Sequence, residues 1–462
     1  MKFMYRAKQC ILLGGDILSF VVAFIMSLSL RYLEVPPKEL LAQNFSLFFF
    51  LFLLWVLVNY INGLYDLHII QSKKRYTLIL QSAAVSFVMS IIFFYILPQG
   101  HITPKTILLL NVAFGYGLAW MFRLLYKKFI QNKKLYTNIL FLGYTPEVQE
   151  IIHILQKETD LGYKICVIID PEYKIKSPDF PDIDIYHTLQ ALRPSITTNK
   201  IQTVVTAPHI HDIGNATQEL YELLFWSVQI TDLPAFYENI VGRITSSTFS
   251  EGWFLKHLSI GNSPLYTKVR RATDLIAALL IAGILIPLGP LIVILIKLES
   301  PGTIIFRQKR VGLGGQTFWI YKFRTMYALA QDGSAETEGA QFASKNDVRV
   351  TKVGKVLRKM RLDELPQMVN LLRGELTLIG PRPERPEIVG QLTSLMPYYP
   401  LRHTVRPGMT GWAVIHQNYT DTLETSLQKL QYDLYYIKNR SFLLDVAIIL
   451  KTINVVLRGM GQ

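Results

Sequence analysis

The sequence predicts a membrane protein of α plus α/β class. A four-helix transmembrane bundle comes first, then an α/β domain with a parallel sheet. A mainly helical cytoplasmic domain follows, entered through one more hydrophobic segment. Three observations predict this order. Half of the 462 residues are hydrophobic and mean hydropathy is +0.26, a membrane-like composition. Four apolar stretches long enough to cross a bilayer precede residue 127. Beyond them strand and helix patterns alternate, and the rest of the chain is polar, basic and dense in motifs.

The four stretches are 11–32, 45–65, 78–97 and 107–126. Lys2, Arg6 and Lys8 precede the first; Lys73, Lys74 and Arg75 lie between the second and third; Lys127, Lys128, Lys133 and Lys134 follow the fourth. The other two loops carry Glu34, Lys38 and Glu39, then Lys105 alone. Because positive loops stay inside, both ends of the bundle belong in the cytoplasm. The first stretch is too long for a signal-peptide core and has no small-residue cleavage site after it. Asp16 lies within it near the cytoplasmic end, where a structural role facing the bundle or the headgroups outweighs a functional one. Formal net charge is +14, so anionic partners are expected. Cys10 and Cys166 cannot make a disulfide framework, which points to a reducing compartment.

From residue 137 the chain reads as strand (138–142), turn at Gly143, helix (147–158), strand (164–169), strand (202–207), helix (217–226) and strand (228–231). That alternation predicts a small parallel sheet. A dinucleotide site would place three glycines after the first strand. Here Gly143 stands alone before Tyr144-Thr145-Pro146-Glu147, so a docking or regulatory module is the better reading. The domains expected are 1–136, 137–262 and 263–462.

The fifth hydrophobic segment, about 272–298, differs from the first four. Pro287 and Pro290 sit at its centre, where proline kinks or breaks a helix. Both flanks are basic: Lys268, Arg270 and Arg271 before, Lys297, Arg307, Lys309 and Arg310 after. Charge on both sides favours a re-entrant segment, bent at proline, over a span.

The chemistry gathers beyond it. Tyr321-Lys322-Phe323-Arg324-Thr325-Met326 suits a strand with Lys322 and Arg324 on one face. A basic helix over 353–360 brings Arg358 and Arg361 near Asp363-Glu364. Asp363 is expected to cap a following helix, with Pro366 in its first turn. A helix start attracts phosphate and keeps a carboxylate ionised. Adjacent carboxylates among fixed arginines suggest phosphoryl chemistry, one acid attacking phosphorus and the other holding a divalent cation. The run Ile379-Gly380-Pro381-Arg382-Pro383 follows, and Arg406-Pro407-Gly408-Met409-Thr410-Gly411-Trp412 reads as a turn whose backbone can approach a ligand closely. Tyr432-Asp433-Leu434-Tyr435-Tyr436 reads as a helix whose carboxylate lies on a solvated face. His403 and His416 read as structural.

In this order and spacing, 322–326, 362–367, 380–383, 407–412 and 432–436 resemble the monotopic phosphoglycosyl transferases, bacterial sugar transferases also called polyprenyl-phosphate hexose-1-phosphate transferases. The resemblance covers about 267–462. The four spans and a degenerate Rossmann-like domain are similar to the large form of that family. It implies transfer of a hexose-1-phosphate from a UDP-hexose to polyprenyl (undecaprenyl) phosphate at the bacterial inner membrane, on the cytoplasmic face, in exopolysaccharide, capsule or O-antigen synthesis. It implies Asp363 as nucleophile and Glu364 as Mg2+ ligand, with Asp433 a helper. Lys322, Arg324 and Arg358 would neutralise phosphate, and Arg361 and Arg406 would join substrate binding. Pro381, Arg382 and Pro383 would form the nucleotide-binding turn, and Pro287 the re-entrant bend, where Ile286 stands in place of a serine found in some members. A lipid bilayer and a homodimeric partner, but no nucleic acid, complete the expectation. The reading from another class is a non-catalytic membrane scaffold or sensor of polysaccharide assembly.

Overall fold

The computed structural model describes residues 2–65, 74–96, 105–130, 136–157, 162–175, 180–213, 215–258, 264–327, 349–417 and 422–457. They fall into two compact units, Met1–Val241 and Gly242–Gln462.

The first unit opens with helices Lys2–Tyr32, Lys38–Ile61, Lys74–Ile96 and Lys105–Ile130. Within these, Gln9–Tyr32, Asn44–Ile61 and Thr106–Tyr126 are long and apolar enough to cross a membrane, and Leu78–Phe94 is a shorter apolar stretch. On the third helix Ser82, Ser86 and Ser90 recur at one-turn spacing and are buried. Each has a partner on another element: Asn62 Nδ2 reaches Ser82 at 2.7 Å, Tyr116 pairs with Ser86 at 2.7 Å, and Trp55 Nε1 reaches Ser90 at 2.8 Å. Asp16 is fully buried and is paired. Both terminal nitrogens of Arg123 donate to it, and Asn59 Nδ2 donates at 3.0 Å. Arg123 falls inside the predicted fourth span and was not singled out; the pair neutralises both charges where water is excluded. Leu97, Lys73, Lys133 and Lys134 lie outside the described residues.

The sheet of the first unit is wholly parallel, in the order β3-β2-β1-β4-β5. Its strands are β1 (Thr137–Leu142), β2 (Tyr163–Ile169), β3 (Asp184–Tyr186), β4 (Thr203–Thr206) and β5 (Gln229–Asp232). Buried aliphatics on β1, β2 and β4 make its core. The edge strand β3 was not expected, since three residues carry no readable period. Gly143 has φ +94°, and a Cβ there would lie 2.7 Å from Ala207 Cβ and 2.8 Å from Ile210. The glycine after β1 therefore makes room for the loop after β4.

The second unit starts earlier than the sequence suggested. Residues 242–258 pack on it: Trp412 Nε1 donates to Gly242 O at 2.7 Å, and Ile244 and Phe254 share a core with Leu430 and Leu434. Next comes a 36-residue helix, Pro264–Glu299, about 54 Å long at 1.5 Å per residue. It runs unbroken through Pro287 and Pro290, where the sequence expected a bend. Its middle is bare: Leu279, Leu280, Ile286 and Leu291 are exposed. Its two ends are not. Asp274 and Ala278 near the start, and Ile292 and Ile296 near the end, are buried against this same unit. The strands here are the antiparallel β6 (Ile305–Val311) and β7 (Thr317–Phe323), and the short parallel pair β8 (Thr377–Ile379) and β9 (Gly408–Thr410).

Candidate active site

Asp363 and Glu364 occupy the first turn of a 3-10 segment, Leu362–Gln367, that runs into the helix Met368–Arg373. The residue flanking its start is Arg361, in the left-handed region at φ 57°. The expected N-cap role of Asp363 is thus corrected: it lies inside the turn. Successive 3-10 residues point about 120° apart, so the two acids face different neighbours. Both are nearly buried, at 8% and 7% exposure.

Glu364 is the hub. Its Oε1 accepts from Lys322 Nζ at 2.9 Å and from Arg382 Nη2 at 2.8 Å, and Arg361 Nη1 lies 3.7 Å from Oε2. Burial pushes its carboxyl up, but Lys322, Arg382 and Arg361 outweigh that and hold it well below the usual range. Asp363 goes the other way. Burial raises it, the neighbouring Glu364 charge adds to the rise, and Lys322, Arg358 and Arg382 only partly oppose it. The sequence expected a helix start to keep Asp363 ionised; desolvation is the larger effect. One acid is a fixed anion and its neighbour is a destabilised one.

The cations arrive from separate elements. Lys322 projects from β7. Arg358 closes the helix Lys352–Lys359, which Thr351 caps by accepting from Gly354 N at 2.9 Å, and its Nε donates to Thr325 Oγ1 at 2.9 Å. Gly354 is required there, because a Cβ would meet Thr325 O at 2.1 Å. Arg382 sits in the turn after β8. Gly380 N donates to Thr410 O at 2.8 Å and Gly408 N to Pro381 O at 2.9 Å. A Cβ on Gly408 would lie 2.0 Å from Gly380 N, so two backbones meet directly at this point.

Buried ion pairs, unread in the sequence, hold that turn. Arg402 is buried and donates to Arg382 O at 2.8 Å and to Asp433 Oδ2 at 2.8 Å. Glu384 pairs with Lys429 and Arg310, and Arg310 also donates to Pro383 O at 3.1 Å. Burial would raise the Glu384 carboxyl, yet Lys429, Arg402 and Arg310 pull it down to about 2. Arg402 is not read from the sequence, because its partner Asp433 lies 31 residues away.

Two expectations change, those for Asp433 and Arg324. Asp433 is not on a solvated face but buried on Arg402. Arg324 does not share a face with Lys322: past the end of β7, it donates to Pro301 O at 2.8 Å and Ser300 O at 2.6 Å, tying down the end of the long helix. Arg406 is exposed, and it is its backbone oxygen that lies against Gly380. His403 and His416 are held down to about 4, each mainly by burial, which fits structural roles. For Mg2+, which takes one or two carboxylates plus substrate phosphates, Asp363 and Glu364 fit. Lys322 and Arg382 share Glu364 Oε1 and leave Oε2, 3.7 Å from Arg361, to face a cation, whereas Asp433 is 2% exposed on Arg402. Among the described residues no group of three or more His, Cys, Asp or Glu side chains is arranged to hold a metal.

The family model described as bacterial sugar transferase matches residues 265–459. Over 395 residues the chain is 31% identical to the UDP-glucose:undecaprenyl-phosphate glucose-1-phosphate transferase of Klebsiella pneumoniae, covering 81% of this chain and 80% of that one. The chain belongs to the bacterial sugar transferase family. Within the family it is also 47% identical, over 224 residues, to the UDP-N-acetylgalactosamine-undecaprenyl-phosphate N-acetylgalactosaminephosphotransferase of Aeromonas hydrophila. That match spans 48% of this chain and about half, 51%, of the relative. The exopolysaccharide production protein PSS of Rhizobium leguminosarum bv. phaseoli is 36% identical over 199 residues, 42% of this chain and 98% of that one. In this sugar transferase the matched region contains every site residue described above.

Proposed function

We propose that the chain transfers a hexose-1-phosphate from a UDP-sugar to polyprenyl phosphate. Asp363 attacks the sugar-bearing phosphorus, the bond to the UMP phosphate breaks, and a phosphosugar remains on the carboxylate. A polyprenyl phosphate oxygen then attacks the same phosphorus, giving polyprenyl-diphosphate-sugar and restoring Asp363. The observation that carries this reading is a nearly buried, destabilised carboxylate among Lys322, Arg358 and Arg382, beside a Glu364 already bound by two of those cations. Such preorganised charge favours a phosphoryl transition state. Glu364 would hold Mg2+, which when bound would offset charge on the donor diphosphate.

The basic flanks of the long helix and the burial of both its ends on one unit support a re-entrant segment rather than a span. That reading keeps the site on the cytoplasmic face of the inner membrane, where the lipid acceptor reaches it along the bare apolar helix. The donor names of the relatives make UDP-N-acetylgalactosamine and UDP-glucose the first to test, for an exopolysaccharide, capsule or O-antigen pathway. Homodimerisation belongs to the same proposal, and cross-linking in nanodiscs tests it. The deciding experiment measures UMP release by nanodisc-embedded protein with Mg2+, polyprenyl phosphate and a donor panel. Wild type is expected to turn over one donor class and Asp363→Asn none. Turnover surviving in Asp363→Asn would remove the covalent step, and no UMP from folded wild type would remove the enzyme reading.

A further inference from the structure

The start of the long helix carries a carboxylate that the reaction does not use. Asp274 is 2% exposed, at the edge of an otherwise apolar run. Its Oδ1 accepts from Thr377 Oγ1 at 2.8 Å and from Leu378 N at 2.7 Å, both on β8. One turn earlier Arg270 donates to Ile379 O, the last carbonyl of β8. Beside it Arg271 donates to Leu371 O at 2.6 Å and Leu372 O at 2.7 Å, carbonyls in the last turn of Met368–Arg373. β8 leads through Gly380-Pro381 into Arg382. Met368–Arg373 continues directly from the segment bearing Asp363 and Glu364. One turn of a single helix thus grips both parts of the site whose meeting is the Arg382–Glu364 pair.

We propose that Asp274, with Arg270 and Arg271, is a positioning residue that sets Arg382 against Glu364 and so readies the donor-phosphate site. A buried carboxylate is costly unless its hydrogen bonds are made, and here two of those bonds hold β8 to the long helix in addition to its pairing with β9. Asp274 touches no reacting atom; it acts through Arg382. The role rests on the proposed UDP-sugar reaction.

The test is a double-mutant cycle in nanodiscs, reading kcat and KM for the UDP-sugar half-reaction. Asp274→Ala should lower kcat/KM about as far as Arg382→Ala does, roughly 10²-fold for a misplaced group. The double variant should then be little worse than Arg382→Ala alone. Asp274→Asn, which keeps the accepting oxygen, should recover most of the loss. If Asp274→Ala does not fold, Thr377→Val replaces it in the cycle, removing one donor and leaving the Leu378 N–H. Multiplying losses, or failed rescue by asparagine in folded protein, would overturn the positioning role alone. A folded wild type silent with every donor would overturn the reaction, and this role with it.

Discussion

At the scale of single residues, the site separates two neighbouring acids by their surroundings. Asp363 must be ionised to attack, and its carboxyl is raised by burial and by Glu364. The acid limb of kcat/KM for the donor should therefore lie above an ordinary aspartate, near 4. Lys322 opposes the rise, so Lys322→Met should move that limb further up, read by UMP release across pH. A limb that stays put would assign it to another group. Glu384 gives the opposite sign. Its folded value of about 2 is depressed, so the stability it contributes is present above its unfolded value, near 4.3, and lost as pH falls from there towards 2. Glu384→Gln, which strands Lys429 and Arg310, should cost on the order of 3 kcal/mol at neutral pH, with a flatter stability profile below pH 5. Equal acid sensitivity in the two proteins would contradict the pairing. The motif acids and Lys322, Arg358 and Arg382 were legible because each lies in a short, dense run. Arg402, Glu384 and Lys429 were not, because their meaning lies in partners 31 to 74 residues away.

At the scale of elements, glycine decides where backbones touch. Gly408→Ala would push a methyl group to 2.0 Å from Gly380 N, with no flexible side chain to give way. β8 and β9 would part and Arg382 would shift. Activity should fall by about 10²-fold with a lowered Tm, whereas Gly314→Ala meets nothing within 4 Å and is disfavoured only by its positive φ. Equal Tm and turnover in both variants would deny the close approach its importance. The sequence marked 406–412 as a turn, and its backbone meets Gly380. The buried strands β1, β2 and β4 were legible from their apolar runs. β3 was too short, and the 3-10 turn at Asp363 imitated a helix cap because Pro366 suits both.

At the scale of the whole molecule, the site is contained in the second unit. The matched region, 265–459, lies inside Gly242–Gln462, and the ion clusters around Glu364 and Glu384 close within it. The chain from 242 to 462 in nanodiscs should therefore release UMP within about tenfold of the full protein, a loss of no more than 1.4 kcal/mol in transition-state stabilisation. A start at 264 should behave differently, although it keeps the family region almost whole. It removes Ile244 and Phe254 from the core they share with Leu430 and Leu434, and leaves the Trp412 indole N–H without the Gly242 carbonyl. Losing two buried side chains costs several kcal/mol, and the helix that loses them also carries Asp433 beneath Arg402 and the Arg382 turn. The shorter chain should melt earlier and turn over less. A folded 242–462 chain without activity would mean that the first unit contributes to the reaction itself; two truncations of equal stability would mean that residues 242–258 only connect the units.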